Sequence, residues 1–154
     1  MVQAPRVGSG RVKTLHTAYR VTDLAASLAF YTALGYEKVG HIAGGDGLSL
    51  TVLKFPDDQV GALELIHRPA DEPVDIGTGF SYFVVQVDNL ASTIEALSQA
   101  GLRPGLVERH SGPAGPQTSQ LTDPDGYHIE LVEWPPGHPD GITAADFSQA
   151  KTPA

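Results

Sequence analysis

Two glutamates carry the first chemical signal in this 154-residue chain. Glu64 sits within Leu63-Glu64-Leu65 and Glu130 within Ile129-Glu130-Leu131, and the two lie 66 positions apart. A carboxylate set among apolar strand residues is costly to bury alone, because its charge gives up hydration without gaining a partner. Two of them at equivalent places suggest one paired site. The same spacing joins His16 to Tyr82. If a pseudo-two-fold axis relates the two halves, His16, Glu64, Tyr82 and Glu130 can converge on it. One imidazole, two carboxylates and a phenol can hold a divalent cation. A lone Glu in a strand ordinarily faces solvent, and a lone His is ordinarily a surface or satisfied core residue; the shared register is what sets these residues apart. No cysteine is present, which excludes disulfides, thiolate metal sites and cysteine nucleophiles together.

The elements that must position these residues repeat as well. His16-Thr17-Ala18-Tyr19-Arg20-Val21-Thr22-Asp23-Leu24-Ala25 falls on Tyr82-Phe83-Val84-Val85-Gln86-Val87-Asp88-Asn89-Leu90-Ala91, Gly35 on Gly101, Asp57 on Asp123, and Pro69 on Pro135, all at one offset. We read two modules, 13–69 and 79–135, joined by the polar stretch 70–78, with tails at 1–12 and 136–154. In the first, Leu15 to Val21 alternates as a strand. Asp23 can cap a helix from Leu24 to Leu34, which Gly35 ends. Strands follow at 38–42, 48–55 and 62–67, with turn chemistry at Pro56-Asp57-Asp58. The second module repeats the order: a strand over 80–87, a helix over 89–99, a weak strand near Leu106, strands near 118–121 and 127–134, and a turn at Asp123-Pro124-Asp125-Gly126. The expected fold class is therefore α+β, two tandem βαβββ modules. Strand alternation puts His16, Ala18 and Arg20 on one face and Glu64, Ile66 and Arg68 on one face. His67 then points away from Glu64.

Composition limits the rest. Apolar residues make up 41% and charged residues 18%, enough for a buried core. The formal net charge of −8 argues against binding nucleic acid or an anionic membrane through the overall field. No run of about 18 apolar residues exists to span a bilayer. Met1 to Lys13 has no apolar segment of the kind a secretory signal needs, so a cytoplasmic location is expected.

Leu15-His16-Thr17-x-x-Arg20-Val21-x-Asp23-Leu24, followed by Phe30-Tyr31-Thr32 and Leu34-Gly35, resembles the opening of glyoxalase I. Asp123-Pro124-Asp125-Gly126-Tyr127-x-Ile129-Glu130-Leu131 resembles that family's closing signature, and the Ile76-Gly77-Thr78-Gly79-Phe80 linker is similar too. The resemblance covers residues 14–134 and places the chain in the vicinal oxygen chelate superfamily, whose paired βαβββ modules curve into a cup around a metal. It implies Zn²⁺ or Ni²⁺ held by His16, Glu64 and Glu130, with Tyr82 standing where the bacterial enzymes carry a histidine. A phenol titrates near pH 10 and is a weaker ligand than imidazole. The same departure argues against the extradiol dioxygenases, which need both histidines.

The resemblance also implies the chemistry. A metal-chelated small hydroxy-carbonyl compound of the hemithioacetal type is isomerised through an enediolate, with Glu130 as the better proton-transfer base and Glu64 opposite it. Arg20 matches the family arginine that grips a substrate carboxylate, a task suited to a guanidinium fork. Arg68 shares the Glu64 face and either assists or merely neutralises. A homodimer is expected, the first-module ligands of one chain facing the second-module ligands of the other. The competing readings are a metal-free small-molecule-binding protein, like the bleomycin-resistance members of the superfamily, and another isomerase or epimerase of the same fold.

Overall fold

The computed structural model describes Gly8 and residues 10–148. In chain order these form β1 (Thr17–Arg20), α1 (Leu24–Leu34), β2 (Glu37–Ala43), a 3-10 turn (Gly45–Gly47), β3 (Ser49–Lys54) and β4 (Leu63–His67). Then come β5 (Phe83–Gln86), α2 (Leu90–Gln99), β6 (Glu108–Arg109), β7 (Gln117–Thr122), β8 (His128–Glu133) and a short α3 (Ala144–Ser148). The βαβββ order occurs twice. The strands make two four-stranded mixed sheets, ordered β1-β4-β3-β2 and β5-β8-β7-β6. Among the described residues no helix is long and apolar enough to cross a membrane.

By contacts the described residues fall into two units. The first takes those up to Ala25 together with Gly35–Val74; the second takes Ala26–Leu34 and those from Asp75 onward. The body of α1 therefore groups with the second unit rather than with the strands that flank it in sequence. Expected and observed elements otherwise agree to within a few residues at most ends. Strand β5 begins three residues later than the pattern suggested, which leaves Tyr82 just outside it, and α3 falls in the stretch read as a tail.

In the first sheet β1 runs parallel to β4, and β3 antiparallel to both β4 and β2. Leu63 and Leu65 on β4 are buried, as are Thr51 and Leu53 on β3, because alternate side chains all turn to one face. Beyond β3 the chain turns back at 55–58. The Asp58 amide donates to the Phe55 carbonyl (3.0 Å), and its carboxylate accepts from the Phe55 amide (3.0 Å). Gly35 ends α1 with φ +118° and Gly101 follows α2 with φ +88°, a region that side chains with a Cβ disfavour.

The second sheet repeats the ladder between first and last strands. Ala18 pairs with Glu64 in one sheet and Val84 with Glu130 in the other, so the 66-residue offset holds across β1·β4 and β5·β8. It does not hold at β3 and β7. Leu53 pairs with Leu63, ten residues on, whereas Leu121 pairs with Ile129, eight residues on. The β3–β4 connection is thus two residues longer, and Asp57 is not the structural counterpart of Asp123. Asn89 caps α2 through the Ser92 amide (2.8 Å), and the Leu90 amide donates to Glu133 Oε2 (2.6 Å).

Asp123 is the polar centre of the second unit. Its Oδ1 accepts the amides of Asp125 and Tyr127 (both 2.9 Å), which locks the turn before β8. Its Oδ2 accepts the hydroxyl of Tyr31 on α1 at 2.7 Å, and Tyr31 is fully buried. Burial pushes the Asp123 carboxyl above its ordinary 3.8, against the downward pull of these hydrogen bonds. The native state therefore holds this proton more tightly than the unfolded chain does. The associated stability is present at low pH and lost as pH rises through the folded value. Tyr31→Phe removes the donor and leaves a buried carboxylate oxygen unmatched, a loss of about 1–3 kcal/mol. The loss should be larger above the Asp123 titration, where the carboxyl is ionised, than below it, where it is neutral; urea unfolding at several pH values measures both.

Candidate functional site

His16 and Tyr82 occupy matching places, each the residue immediately before its unit's first strand. Glu64 and Glu130 also match, paired with Ala18 and Val84 through the same parallel ladder. In both closing strands the apolar neighbours of the glutamate are buried: Leu63 and Leu65 around Glu64, Ile129 and Leu131 around Glu130. The glutamates therefore turn to the opposite face of each sheet and stay partly exposed.

Within the first unit the structure brings two of the expected ligands together. His16 Nε2 and Glu64 Oε2 lie 3.1 Å apart, and the carboxylate is the better covered of the two. The pair places an imidazole nitrogen and a carboxylate oxygen side by side, donor types that Zn²⁺ and Ni²⁺ both accept. In the second unit Glu130 shares its face with Val84 and Gln120, its partners in the ladder. No hydrogen-bond or ion-pair partner for Glu130 is present among the described residues. Tyr82 is 48% exposed. Among the described residues no three His, Asp or Glu side chains form a group able to hold a metal ion. The first unit thus offers one nitrogen–oxygen donor pair of the types such ions accept, and the second offers a carboxylate without a partner among the described residues.

Arg20 and Arg68 share a partner that the sequence did not single out. Arg20 Nε lies 3.4 Å from Asp71 Oδ2, and Arg68 Nη1 lies 3.6 Å from Asp71 Oδ1. Arg20 Nη2 also donates to the Glu72 carbonyl at 2.7 Å. One carboxylate is thus shared by two guanidinium groups. The i,i+3 spacing of Arg68 and Asp71 was the only local hint of it. The remaining histidines are engaged elsewhere: His41 with Thr51 (2.9 Å), His110 with Thr118 (2.9 Å) and His128 with Thr122 (3.1 Å). His67 ends β4, three residues on from Glu64, and alternates to the other face.

Comparison with known proteins places the chain in a family. The family model for the Glyoxalase/Bleomycin resistance protein/Dioxygenase superfamily matches residues 13–131. The lactoylglutathione lyase of Salmonella typhimurium is 35% identical over 128 residues, covering 79% of this chain and 93% of that protein. The lactoylglutathione lyase of Escherichia coli O157:H7 is 33% identical over the same length, with the same coverage. Glyoxalase I from Zea mays superposes with a TM-score of 0.69 at 26% identity, covering 77% of this chain and 43% of that one.

The arginine cluster yields a direct test. Exposed ion pairs of this kind are worth about 0.2–1 kcal/mol and weaken with salt. Asp71→Asn should therefore lower the unfolding free energy by less than about 1 kcal/mol, with the difference shrinking at high ionic strength. A larger, salt-independent loss in urea titrations would show that Asp71 supports the backbone rather than the two guanidinium groups.

Proposed function

Because this chain belongs to the Glyoxalase/Bleomycin resistance protein/Dioxygenase superfamily, we propose that it is a glyoxalase I-like, metal-dependent lyase acting on a small hydroxy-carbonyl substrate of the hemithioacetal type. Its relatives named lactoylglutathione lyase, matched over nearly their whole length, support that substrate class. The observation that carries the reading is the contrast between the two register-matched glutamates: Glu64 is engaged by His16 at 3.1 Å, while Glu130 has no partner among the described residues.

That contrast divides the labour. His16 and Glu64 would hold a Zn²⁺ or Ni²⁺ ion, with Glu130 and Tyr82 completing the set in a homodimer that brings the second-unit residues of one chain to the first-unit residues of its partner. The bound cation supplies Lewis-acid polarisation of the substrate's vicinal oxygens. Glu130 would take the proton from the carbon that bears the hydroxyl and return it to the neighbouring carbon, while the hydroxyl proton passes to the former carbonyl oxygen, so the isomerisation goes through an enediolate and no net proton is gained or lost. A carboxylate without a fixed hydrogen-bond donor is free to accept and release that proton. Arg20 and Arg68 hold a carboxylate of the substrate, the guanidinium fork matching its two oxygens. The Tyr82 hydroxyl donates to a substrate oxygen or to a water, and as a neutral phenol it binds the ion less tightly than an imidazole would.

Metal analysis of protein purified without chelator, combined with an assay on the methylglyoxal–glutathione adduct, tests the proposal. Stoichiometric Zn or Ni and turnover abolished by chelator are expected. Metal-free protein that binds small apolar molecules without turnover would instead establish the sequestering role. Glu130→Gln should lower kcat by about 10²- to 10⁴-fold and weaken metal binding as the loss of one ligand of the set does, and Glu64→Gln, which also breaks the His16 pair, should lower metal content further. Tyr82→His should raise affinity for Zn²⁺ or Ni²⁺ in calorimetry. No gain would place Tyr82 outside the metal's reach.

A further inference from the structure

The segment that follows β8 lies beyond the family match at residues 13–131, and two clasps hold it, one to the second sheet and one within the segment itself. The first clasp is at Gln86, the last residue of β5. Its Nε2 donates to Asp140 Oδ1 at 2.7 Å, and its Oε1 accepts the Gly141 amide at 2.9 Å. Gln86 lies two residues beyond Val84, the ladder partner of Glu130, so alternation puts it on the Glu130 face. Its own ladder partner Val132 is only 4% exposed, whereas the repeat counterpart Ile66 is half-buried.

The second clasp is built around His138. Its ring stacks on Trp134, nearly parallel at 8° and 4.3 Å between centroids. Nδ1 lies 2.6 Å from the Pro139 carbonyl oxygen, and Nε2 lies 2.6 Å from Asp146 Oδ1. The other carboxylate oxygen of Asp146 accepts the Thr143 amide (2.6 Å) and the Thr143 hydroxyl (3.1 Å), which ties the start of α3 into the same knot. A carbonyl and an ionised carboxylate only accept. A neutral imidazole has one N–H and cannot satisfy both, so the arrangement requires the doubly protonated ring. The flat face of Trp134 favours that cation further.

We infer that residues 135–148 form a pH-sensitive strap, anchored at the β5 end of the Glu130 face by Gln86 and kept in its folded form by a His138 imidazolium clamped between Pro139 and Asp146, so that it loosens when that proton leaves. The titratable groups on the elements that meet here, besides His138, are His128, Glu130 and Glu133 on β8 and Asp140 and Asp146 on the segment itself; His128 meets Thr122 at 3.1 Å, and Glu130 has no partner among the described residues. Glu133 is tied to the Leu90 amide, Asp140 to Gln86, and β5 contributes no titratable group. Hydrogen bonding to Asp146, then to Pro139, raises the histidine above its ordinary 6.5, while hydrogen bonds from Thr143 and His138 lower Asp146. A raised histidine stabilises the clasp fully below its unfolded value and loses that contribution as pH rises through the folded one. The depressed Asp146 sets the acid limit in the opposite sense. The strap is therefore closed in mild acid and opens toward alkaline pH.

Amide hydrogen exchange on the full-length protein between pH 5.5 and 9, expressed as protection factors to remove the intrinsic pH dependence, tests the strap independently of metal or turnover. Protection at Gly141 and Thr143 should fall roughly tenfold or more as His138 titrates, the loss expected of a charge-assisted hydrogen bond. The β7·β8 ladder amides should not change. His138→Gln should show low protection at those two amides at every pH and no step. Asp146→Asn, a milder change, should lower the His138 pKa read from its ring resonances. Protection that stays constant through the His138 titration, or a step that survives in His138→Gln, would overturn the inference; so would an Asp146→Asn protein whose His138 titrates as in the parent.

Discussion

The parallel ladder between the first and last strands of each sheet is the constraint on which the rest depends. Because β1 pairs with β4 and β5 with β8 in one register, each opening strand is fixed against its closing strand residue by residue. Alternation then does the chemical sorting. Leu63 and Leu65, and Ile129 and Leu131, go to the buried side, and Glu64 and Glu130 are carried to the other. A slip of one residue in either ladder would drive a carboxylate into the core and two leucines or isoleucines into water, a cost large enough to pin the register. The apolar neighbours that make these glutamates look misplaced in the sequence are what hold them in place.

The same ladder explains how charge gathers locally in a chain whose overall balance is −8. Arg20 lies two residues beyond Ala18 and Arg68 four beyond Glu64, so both emerge at the same end of the ladder. The chain leaving β4 then doubles back, bringing Asp71 between them, and the Val74 amide donates to Thr22 at 2.8 Å. The placement of the two guanidinium groups thus depends on this short return segment as well as on the strands.

Much of this was legible in the sequence, for identifiable reasons. The bounds of α1 and α2 followed from an apolar stripe closed by Gly35 and Gly101, whose positive φ angles the structure displays. The equivalence of Glu64 and Glu130 followed from their shared offset. Features determined by unequal turn lengths or by distant partners were not legible. The extra two residues between β3 and β4 are invisible to an ungapped comparison, because compensating residues restore the offset by Leu63. Tyr31 and Asp123 are 92 residues apart, and nothing local to either announces the other. The His138 clasp combines residues that each look ordinary in a Pro- and Gly-rich stretch.

That clasp also completes the logic of the repeat. In both units the chain leaving the closing strand folds back to the last residue of the opening strand, Arg20 in one and its counterpart Gln86 in the other. Arg20 meets a carbonyl and a carboxylate, whereas Gln86 meets a carboxylate and an amide. A guanidinium keeps its charge at any accessible pH, so the first return segment is held by a permanent cation. A side-chain amide brings no charge, and the second segment adds its own cation at His138, stacked on Trp134. Equivalent positions thus solve one geometric problem with a permanent cation in one half and a titratable cation in the other.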